Sequence, residues 1–278
     1  MGIWSDAFIR SCPPRPQITG SEWADKFGMI PPPAAEAGPW RTSRTPYLKE
    51  IMDAATDRTT REVVFIAGSQ VGKTASLLMI CGYYMHNDPT SIMVLSPTLD
   101  EAETFSKTRL DPTIKATKVL RDVVEFAEDT EKNAKKNKST MLLKTFVGGF
   151  ISMVGSNSPS GLASRAIKVL LADEVDRYAT NAGREGSPLE LAKQRTATFH
   201  DKKLLYISTP TIKNESLIDD IFESSDKRYF HIPCQHCGVY QKLEWSQVKW
   251  DKDEAGKSDS STCRYECKHC NGIMRGAG

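Results

Sequence analysis

Apolar residues in this chain come in short runs broken by glycine, proline and hydroxyl residues, the spacing of strands and helices in alternation. Glu62-Val63-Val64-Phe65-Ile66 predicts a buried strand, Ile92-Met93-Val94-Leu95-Ser96 a second, and Lys203-Leu204-Leu205-Tyr206-Ile207-Ser208 a further one. Ala166 to Ala172 is an apolar strand that ends on two adjacent acids, Asp173-Glu174. Leu142 to Val154 predicts a hairpin turning at Gly148-Gly149. Helical stretches lie between: Pro46 to Ala54 with proline in its first turn, Lys73 through Ile80, and a helix opened by Pro97-Thr98-Leu99-Asp100-Glu101. Such alternation argues for an α/β fold, a mostly parallel sheet flanked by helices.

The flanks differ. Up to about Trp40 the chain is rich in proline and small residues, as in Cys12-Pro13-Pro14-Arg15-Pro16 and Ile30-Pro31-Pro32-Pro33-Ala34. Residues 1–45 are therefore expected to be an arm over a neighbouring surface or a loosely ordered stretch, not a domain. Residues 46–228 form the expected main domain and 229–278 a small appendage, a division that the length allows. The basic, turn-rich run Lys132-Asn133-Ala134-Lys135-Lys136-Asn137-Lys138 suits either DNA phosphates or a solvated loop.

Chemistry enters after the first strand. Ala67-Gly68-Ser69-Gln70-Val71-Gly72-Lys73-Thr74 place a glycine-bearing loop between a buried strand and a helix, the layout of a phosphate-binding loop. Its N–H groups and the positive end of the helix would surround the β- and γ-phosphates of ATP. Lys73 would reach those phosphates and the Thr74 hydroxyl would ligate Mg²⁺. The usual pattern has glycine where this chain has Ala67; here it falls one place later, at Gly68. Asp173-Glu174 then specifies the expected class, a phosphate-loop NTPase of ASCE type. In such ATPases the strand beside the loop ends in two acids: the first holds the Mg²⁺ shell, and the second takes a proton from the attacking water or orients it. Asp173 and Glu174 are assigned those roles, so hydrolysis is predicted and not binding alone. Tyr47 or Arg44 would contact the adenine, or the segment is simple helix packing. Ser208-Thr209-Pro210-Thr211 would put hydroxyls near the γ-phosphate, or it is an ordinary strand exit.

The chain has seven cysteines, of which Cys12 and Cys81 stand alone and Cys81 fits core packing. Cys234-Gln235-His236-Cys237 and Cys267-Lys268-His269-Cys270 are two C-x-x-C knuckles, enough to hold a structural Zn²⁺ tetrahedrally in a zinc-ribbon-like module. A redox pair is the alternative. Cys263 is a spare thiol, and His231, His236 and His269 are possible substitute ligands. Leu243-Glu244-Trp245 and Val248-Lys249-Trp250 are the expected ribbon strands, with Asp251 to Ser261 a polar insert. A net charge of +2 provides no global positive field, so nucleic-acid contacts must be local. No apolar run is long enough to span a membrane, and Met1 to Asp6 has neither a signal-sequence nor a myristoylation pattern, which predicts a cytosolic protein.

Taken in order, these segments resemble the ATPase part of a phage large terminase subunit of the lambda-type class, the motor that packages double-stranded DNA into proheads. The resemblance is carried by Pro46-Tyr47 with Ile51-Met52-Asp53-Ala54, by Gly68 to Thr74, and by Leu95-Ser96-Pro97-Thr98. Asn157 to Arg165, Asp173-Glu174-Val175-Asp176, Ile207 to Thr211 and the cysteine knuckles complete it. It implies that Ser208-Thr209-Pro210 couples hydrolysis to DNA movement and that Ser96-Pro97-Thr98 touches a nucleic-acid backbone. Gln70 fits a loop position often filled by glutamine. The position of Ser69 is often arginine in the family, so no loop arginine carries over. Arg165 would be an arginine finger acting on a neighbouring subunit's ATP, or it is a surface arginine before a buried strand. The implied partners are double-stranded DNA, a small terminase subunit, the portal and prohead, and copies of the chain in a ring, all in the host cell cytoplasm and away from membranes. Family members usually continue into a nuclease domain, and no carboxylate set for one is expected here, which suggests a truncated motor or a nuclease residing elsewhere. Two further readings remain: a helicase-like DNA translocase, which would need a second motor domain, and a non-catalytic zinc-containing DNA-binding scaffold.

Overall fold

A computed structural model describes residues 17–124, 140–163, 165–211, 215–253 and 256–274. The chain divides into two units between Ser225 and Asp226. The first opens with helix α1 (Gly20–Phe27) and a short antiparallel pair, β1 (Met29–Ile30) with β2 (Gly38–Pro39). A turn of 3₁₀ helix at Pro46–Leu48 leads into α2 (Lys49–Thr56), so the expected helix forms with proline at its start. Strand β3 (Glu62–Ile66), helix α3 (Lys73–His86) and strand β4 (Ser91–Ser96) follow. Then come α4 (Leu99–Phe105), a π-helical turn at Ser106–Leu110, α5 (Asp111–Ala116) and α6 (Lys118–Arg121). The hairpin β5 (Leu143–Phe146) and β6 (Gly149–Gly155) turns at Gly148, whose φ of 93° suits glycine. The unit ends with α7 (Pro159–Ala163), β7 (Val169–Asp173), α8 (Pro188–Gln194), β8 (Lys203–Ser208) and α9 (Leu217–Glu223).

Six strands form one sheet in the order β3-β8-β7-β4-β6-β5. All neighbours are parallel except the edge strand β5. The inner strands read as nearly continuous apolar runs because helices cover both faces. Alternate residues serve the two sides: Ile92, Val94, Val169, Leu171, Leu205 and Ile207 join one core cluster. Met93, Leu95, Leu170, Ala172, Leu204 and Tyr206 join the other. Helix α3 is buried over most of its circumference, which matches its lack of a polar face.

Three expectations change in the first unit. The strand ending in Asp173-Glu174 does not lie beside β3: β8 is inserted between β3 and β7. Pairing across the sheet, not order along the chain, decides this. The apolar run from Ala166 becomes a strand only at Val169. Of the two alternatives for the N-terminal stretch, residues 17–45 are not loosely ordered but packed against the rest of the first unit. Thr19 caps α1 in a reciprocal capping box with Glu22, and Trp23 and Trp40 are both buried in the core shared with α3. Trp23 Nε1 donates to His86 Nδ1 at 3.1 Å. Two large aromatic side chains supply the apolar area that fastens a proline-rich stretch down.

The second unit pairs β9 (His231–Pro233) with β10 (Tyr240–Lys242), and sets β12 (Ser258–Glu266) between β11 (Val248–Lys252) and β13 (Ile273–Met274). Leu243-Glu244-Trp245 is therefore not a ribbon strand: Trp245 starts a 3₁₀ turn, and Tyr240–Lys242 takes the strand position. Much of the expected polar insert is strand as well, with Asp251 opposite Asp259 and Lys252 opposite Ser258. Polar side chains are no bar where both faces of a hairpin meet water.

Candidate functional site

The loop predicted for phosphate leaves β3 and turns into α3. Two of its residues have left-handed backbone, Gln70 at φ 60° and Gly72 at φ 83°. Gly72 is the N-cap of α3 and suits the conformation; a Cβ there would also lie 3.1 Å from Leu48 Cδ1. Gln70 adopts it with a side chain, at a local cost of about 1–3 kcal/mol. Gly68 has open space on the side where a Cβ would stand. The Tyr47 hydroxyl donates to the Val71 carbonyl at 3.2 Å, so the segment before α2 is tied to the loop. Arg44 instead pairs with Glu36, both exposed.

Lys73 is buried in the first turn of α3. Its Nζ donates to the Ala67 carbonyl at 3.3 Å and to Thr209 Oγ1, and lies 3.3 Å from Glu174 Oε1. Glu174, at φ 53°, accepts from Thr209 N at 3.5 Å. The inserted strand makes this possible: β8 carries Thr209 into the gap between the loop and the end of β7. Ser208 is fully buried, and its carbonyl accepts from Ala67 N at 3.3 Å. Ser69 and Val71 complete the loop, and Thr74 follows Lys73, partly exposed.

Burial pushes the Asp173 carboxyl up to about 6; the adjacent Glu174 charge adds to this and Lys73 opposes it. A partly desolvated carboxylate next to a second one favours a cation at its oxygens. Carboxylate and hydroxyl oxygens such as those of Asp173 and Thr74 are of the kind that a hard divalent ion takes. The arrangement offers helix N-terminal amides and an ammonium for phosphate, oxygens for a cation, and a carboxylate for a proton.

Arg165 is not part of this constellation. Its guanidinium stacks over Phe150 at 5.4 Å, and Phe150 pairs with Ser91 at the start of β4, the end of the sheet away from Ser96, Asp173 and Ser208. Ser96-Pro97-Thr98 lies at the site's end: Ser96 is buried and Thr98 caps α4 by accepting from Glu101 N. The run Lys132 to Lys138 and Cys12 lie outside the described residues. Sequence reasoning assigned no role to Asp176 or Tyr178. Tyr178 donates to the Leu95 carbonyl at 2.8 Å, and burial raises its hydroxyl well above the ordinary range. Asp176 bonds to residues beyond β8, and no local periodicity signals such a tie.

In the second unit, Sγ atoms of Cys234, Cys237, Cys267 and Cys270 all lie within 4.8 Å of one another. The Cys234–Cys270 and Cys237–Cys267 separations are 3.8 and 3.9 Å. A tetrahedral ion bonded at about 2.3 Å to each sulfur would hold them about 3.8 Å apart. Backbone N–H groups of His236 and His269 donate to Cys234 and Cys267, and Gln241 Nε2 donates to Cys267. Gly238 and Asn271 supply the left-handed turn residues, while Gly272 gives room to the His236 ring. Among the described residues the cluster contains no histidine: His236 Nε2 lies 2.8 Å from the Ile273 carbonyl and His231 Nδ1 2.8 Å from that of Tyr229. Cys263 is exposed on β12 and outside the cluster.

Residues 34–277 match the family model described as phage terminase large subunit gpA, ATPase domain. The chain belongs to this family. The phosphate-loop segment, the Asp173-Glu174 pair and all four clustered cysteines fall inside the matched stretch. The terminase large subunit of Escherichia phage lambda is 28% identical over 272 residues, which cover 94% of this chain and 40% of the relative. That of Enterobacteria phage P21 is 28% identical over 262 residues, covering 91% and 39%. The chain thus spans about two fifths of the length of these relatives. The crystal structure of the HK97 bacteriophage large terminase superposes with a TM-score of 0.59 over 76% of this chain and 43% of that one, at 13% identity, a likeness of fold. No helix among the described residues is long and apolar enough to cross a membrane.

Proposed function

We propose that the chain is the Mg²⁺-dependent, ATP-hydrolysing part of a motor that moves double-stranded DNA into a prohead, acting in the host cell cytoplasm. One observation carries this reading: the Lys73 ammonium, the Thr209 hydroxyl and the Glu174 carboxylate meet at the N-terminus of α3. The amides of Gly68 to Thr74 and Lys73 would hold the β- and γ-phosphates. Thr74 and Asp173 would hold Mg²⁺, which when bound neutralises phosphate charge. Glu174 would take the proton of the attacking water. Thr209, bonded to Lys73 and Glu174, would register loss of the γ-phosphate, and Ser208-Thr209-Pro210 would pass it on toward DNA. Tyr47, tied to the loop, would sit beside the base.

Arg165, exposed and remote from this chain's own Lys73, is proposed to act on a neighbouring subunit's nucleotide in a ring. Double-stranded DNA, a small terminase subunit and a portal complete the proposed assembly. Cys234, Cys237, Cys267 and Cys270 are proposed to hold a Zn²⁺ with no open position, whose contribution is structural.

The test is ATP hydrolysis across a protein concentration series, with and without duplex DNA, beside Glu174→Gln. Turnover that rises with concentration or DNA, and falls about 10²- to 10⁴-fold in the variant at unchanged ATP affinity, is expected. Unaltered turnover in Glu174→Gln would overturn the assignment, and DNA binding indifferent to ATP without hydrolysis in any assembly would favour a scaffold.

A further inference from the structure

We propose that Asp176 is a positioning residue: it staples the turn that carries Glu174 to the segment that carries Thr209 and to the start of α9. The inference rests on the reading of Lys73, Glu174 and Thr209 as an ATP site.

Four hydrogen bonds carry it. Asp176 Oδ2 accepts from Thr211 N at 2.9 Å and from Thr211 Oγ1 at 3.2 Å. Asp176 Oδ1 accepts from Ile218 N at 2.8 Å. Its own N–H donates to Ser208 Oγ at 3.3 Å. Ser208 and Thr211 are thus both fastened to one residue, and the Thr209-Pro210 span between them is pinned at each end. Proline has only one free backbone torsion, so this span has little freedom of its own. Pinned in that way, Thr209 places its hydroxyl on Lys73 and its N–H toward Glu174.

The third anchor leads outward. Ile218 is fully buried in the second core cluster, and Ser216 caps α9 by accepting from Asp219 N. A shift in the Glu174 turn would therefore reach α9 through a carboxylate that is no part of the Lys73–Thr209–Glu174 constellation. Burial alone would raise the Asp176 carboxyl, yet the bonds from Ile218, Ser216 and Thr211 outweigh it and hold the group below the usual carboxylate range. It is ionised and fully engaged at neutral pH. Asparagine would keep the shape but turn an NH₂ group toward a backbone N–H, donor against donor.

The test compares wild type with Asp176→Asn and with the milder Thr211→Val, which removes only the hydroxyl bond. The readouts are kcat and KM for ATP, affinity for a fluorescent ATP analogue, melting temperature, and amide hydrogen exchange at Thr211 and Ile218. For Asp176→Asn, kcat is expected to fall about ten- to a hundredfold at unchanged ATP affinity, with faster exchange at both amides. Thr211→Val is expected to show a smaller fall of the same kind, and it decides the matter if Asp176→Asn does not fold. Wild-type kcat in a folded variant whose Thr211 and Ile218 amides exchange faster would overturn the proposal, since the tie would be structural only. Loss of kcat, ATP affinity and melting temperature together in both variants would overturn it too. If the wild-type protein hydrolyses no ATP in any assembly, the ATP-site reading fails and this inference falls with it. That outcome is recognised by silence in the wild type, not in the variants alone.

Discussion

Aspartate behaves in opposite ways at different places in this chain, and the surroundings decide which. Asp173, half-buried beside Glu174, is pushed up to about 6 by its desolvation. Burial also works against ionised Asp53, but there it is outweighed by bonds from Lys49 and Ser21, and the carboxyl is held below its ordinary 3.8. Lys49 Nζ lies 2.7 Å from Asp53 Oδ2, and Ser21 N donates to Oδ1 at 2.9 Å, so Asp53 ties α1 to α2. The sign follows from linkage. A carboxylate whose folded pKa is depressed contributes stability that is complete above the unfolded value and is lost as pH falls through the folded one. Melting temperature should therefore decline as pH drops below 3.8. In Asp53→Asn that decline should be shallower, with about 1 kcal/mol already missing at pH 7. Parallel pH curves for the two proteins would count against this role.

At the scale of elements, contiguous signals and distant ones part company. The glycine-bearing turn after β3, the helix that follows it and the helix that opens at Pro97 to Glu101 were legible because strand, turn glycine and helix start lie within a few residues of one another. The stretch 17–45 was not, because its partners are elsewhere: Trp23 packs on α3, where a Cβ at Gly82 would come within 2.3 Å of the indole. Glycine at that helix position is explained by the tryptophan, which no local pattern shows. Trp23→Ala should cost about 3–5 kcal/mol in a urea titration followed by far-ultraviolet circular dichroism, and Trp23→Phe clearly less. An unchanged midpoint for Trp23→Ala would restore the picture of a loosely ordered stretch. The same distinction explains the one misread ribbon strand, Leu243-Glu244-Trp245, since Tyr240–Lys242 is chosen by pairing with His231–Pro233 and not by its own propensity, while Val248-Lys249-Trp250 does form a strand.

On the scale of the whole molecule, the two units derive stability from different sources. The first has two apolar clusters, one on each face of its sheet. The second buries little beyond Cys234, Cys267 and Met274, too small a core to hold so short a unit unaided. Bound zinc would supply the difference. A zinc assay on protein purified without chelator should find about one ion per chain, and Cys267→Ser should lose it. Chelation should speed proteolysis of residues 226–278 while ATP affinity in the first unit persists. A stoichiometry near zero with intact, resistant protein would show that the thiols do not depend on metal.

By itself the sequence determined the chemistry that neighbouring residues can carry: the Gly68-to-Thr74 loop, the Asp173-Glu174 pair, the two cysteine knuckles and the α/β alternation. These depend on local geometry, in which a strand, a turn and a helix end bring side chains together without help. Tertiary structure alone decided the strand order, the burial of Trp23 and Trp40, and the meeting of Lys73 with Thr209, which are 136 positions apart in the chain. It also decided that Asp176 fastens the end of one strand to the exit of the next. Such contacts are set by which strands pair and which faces are covered. That choice depends on packing free energy summed over the whole sheet, which no single stretch of the sequence displays.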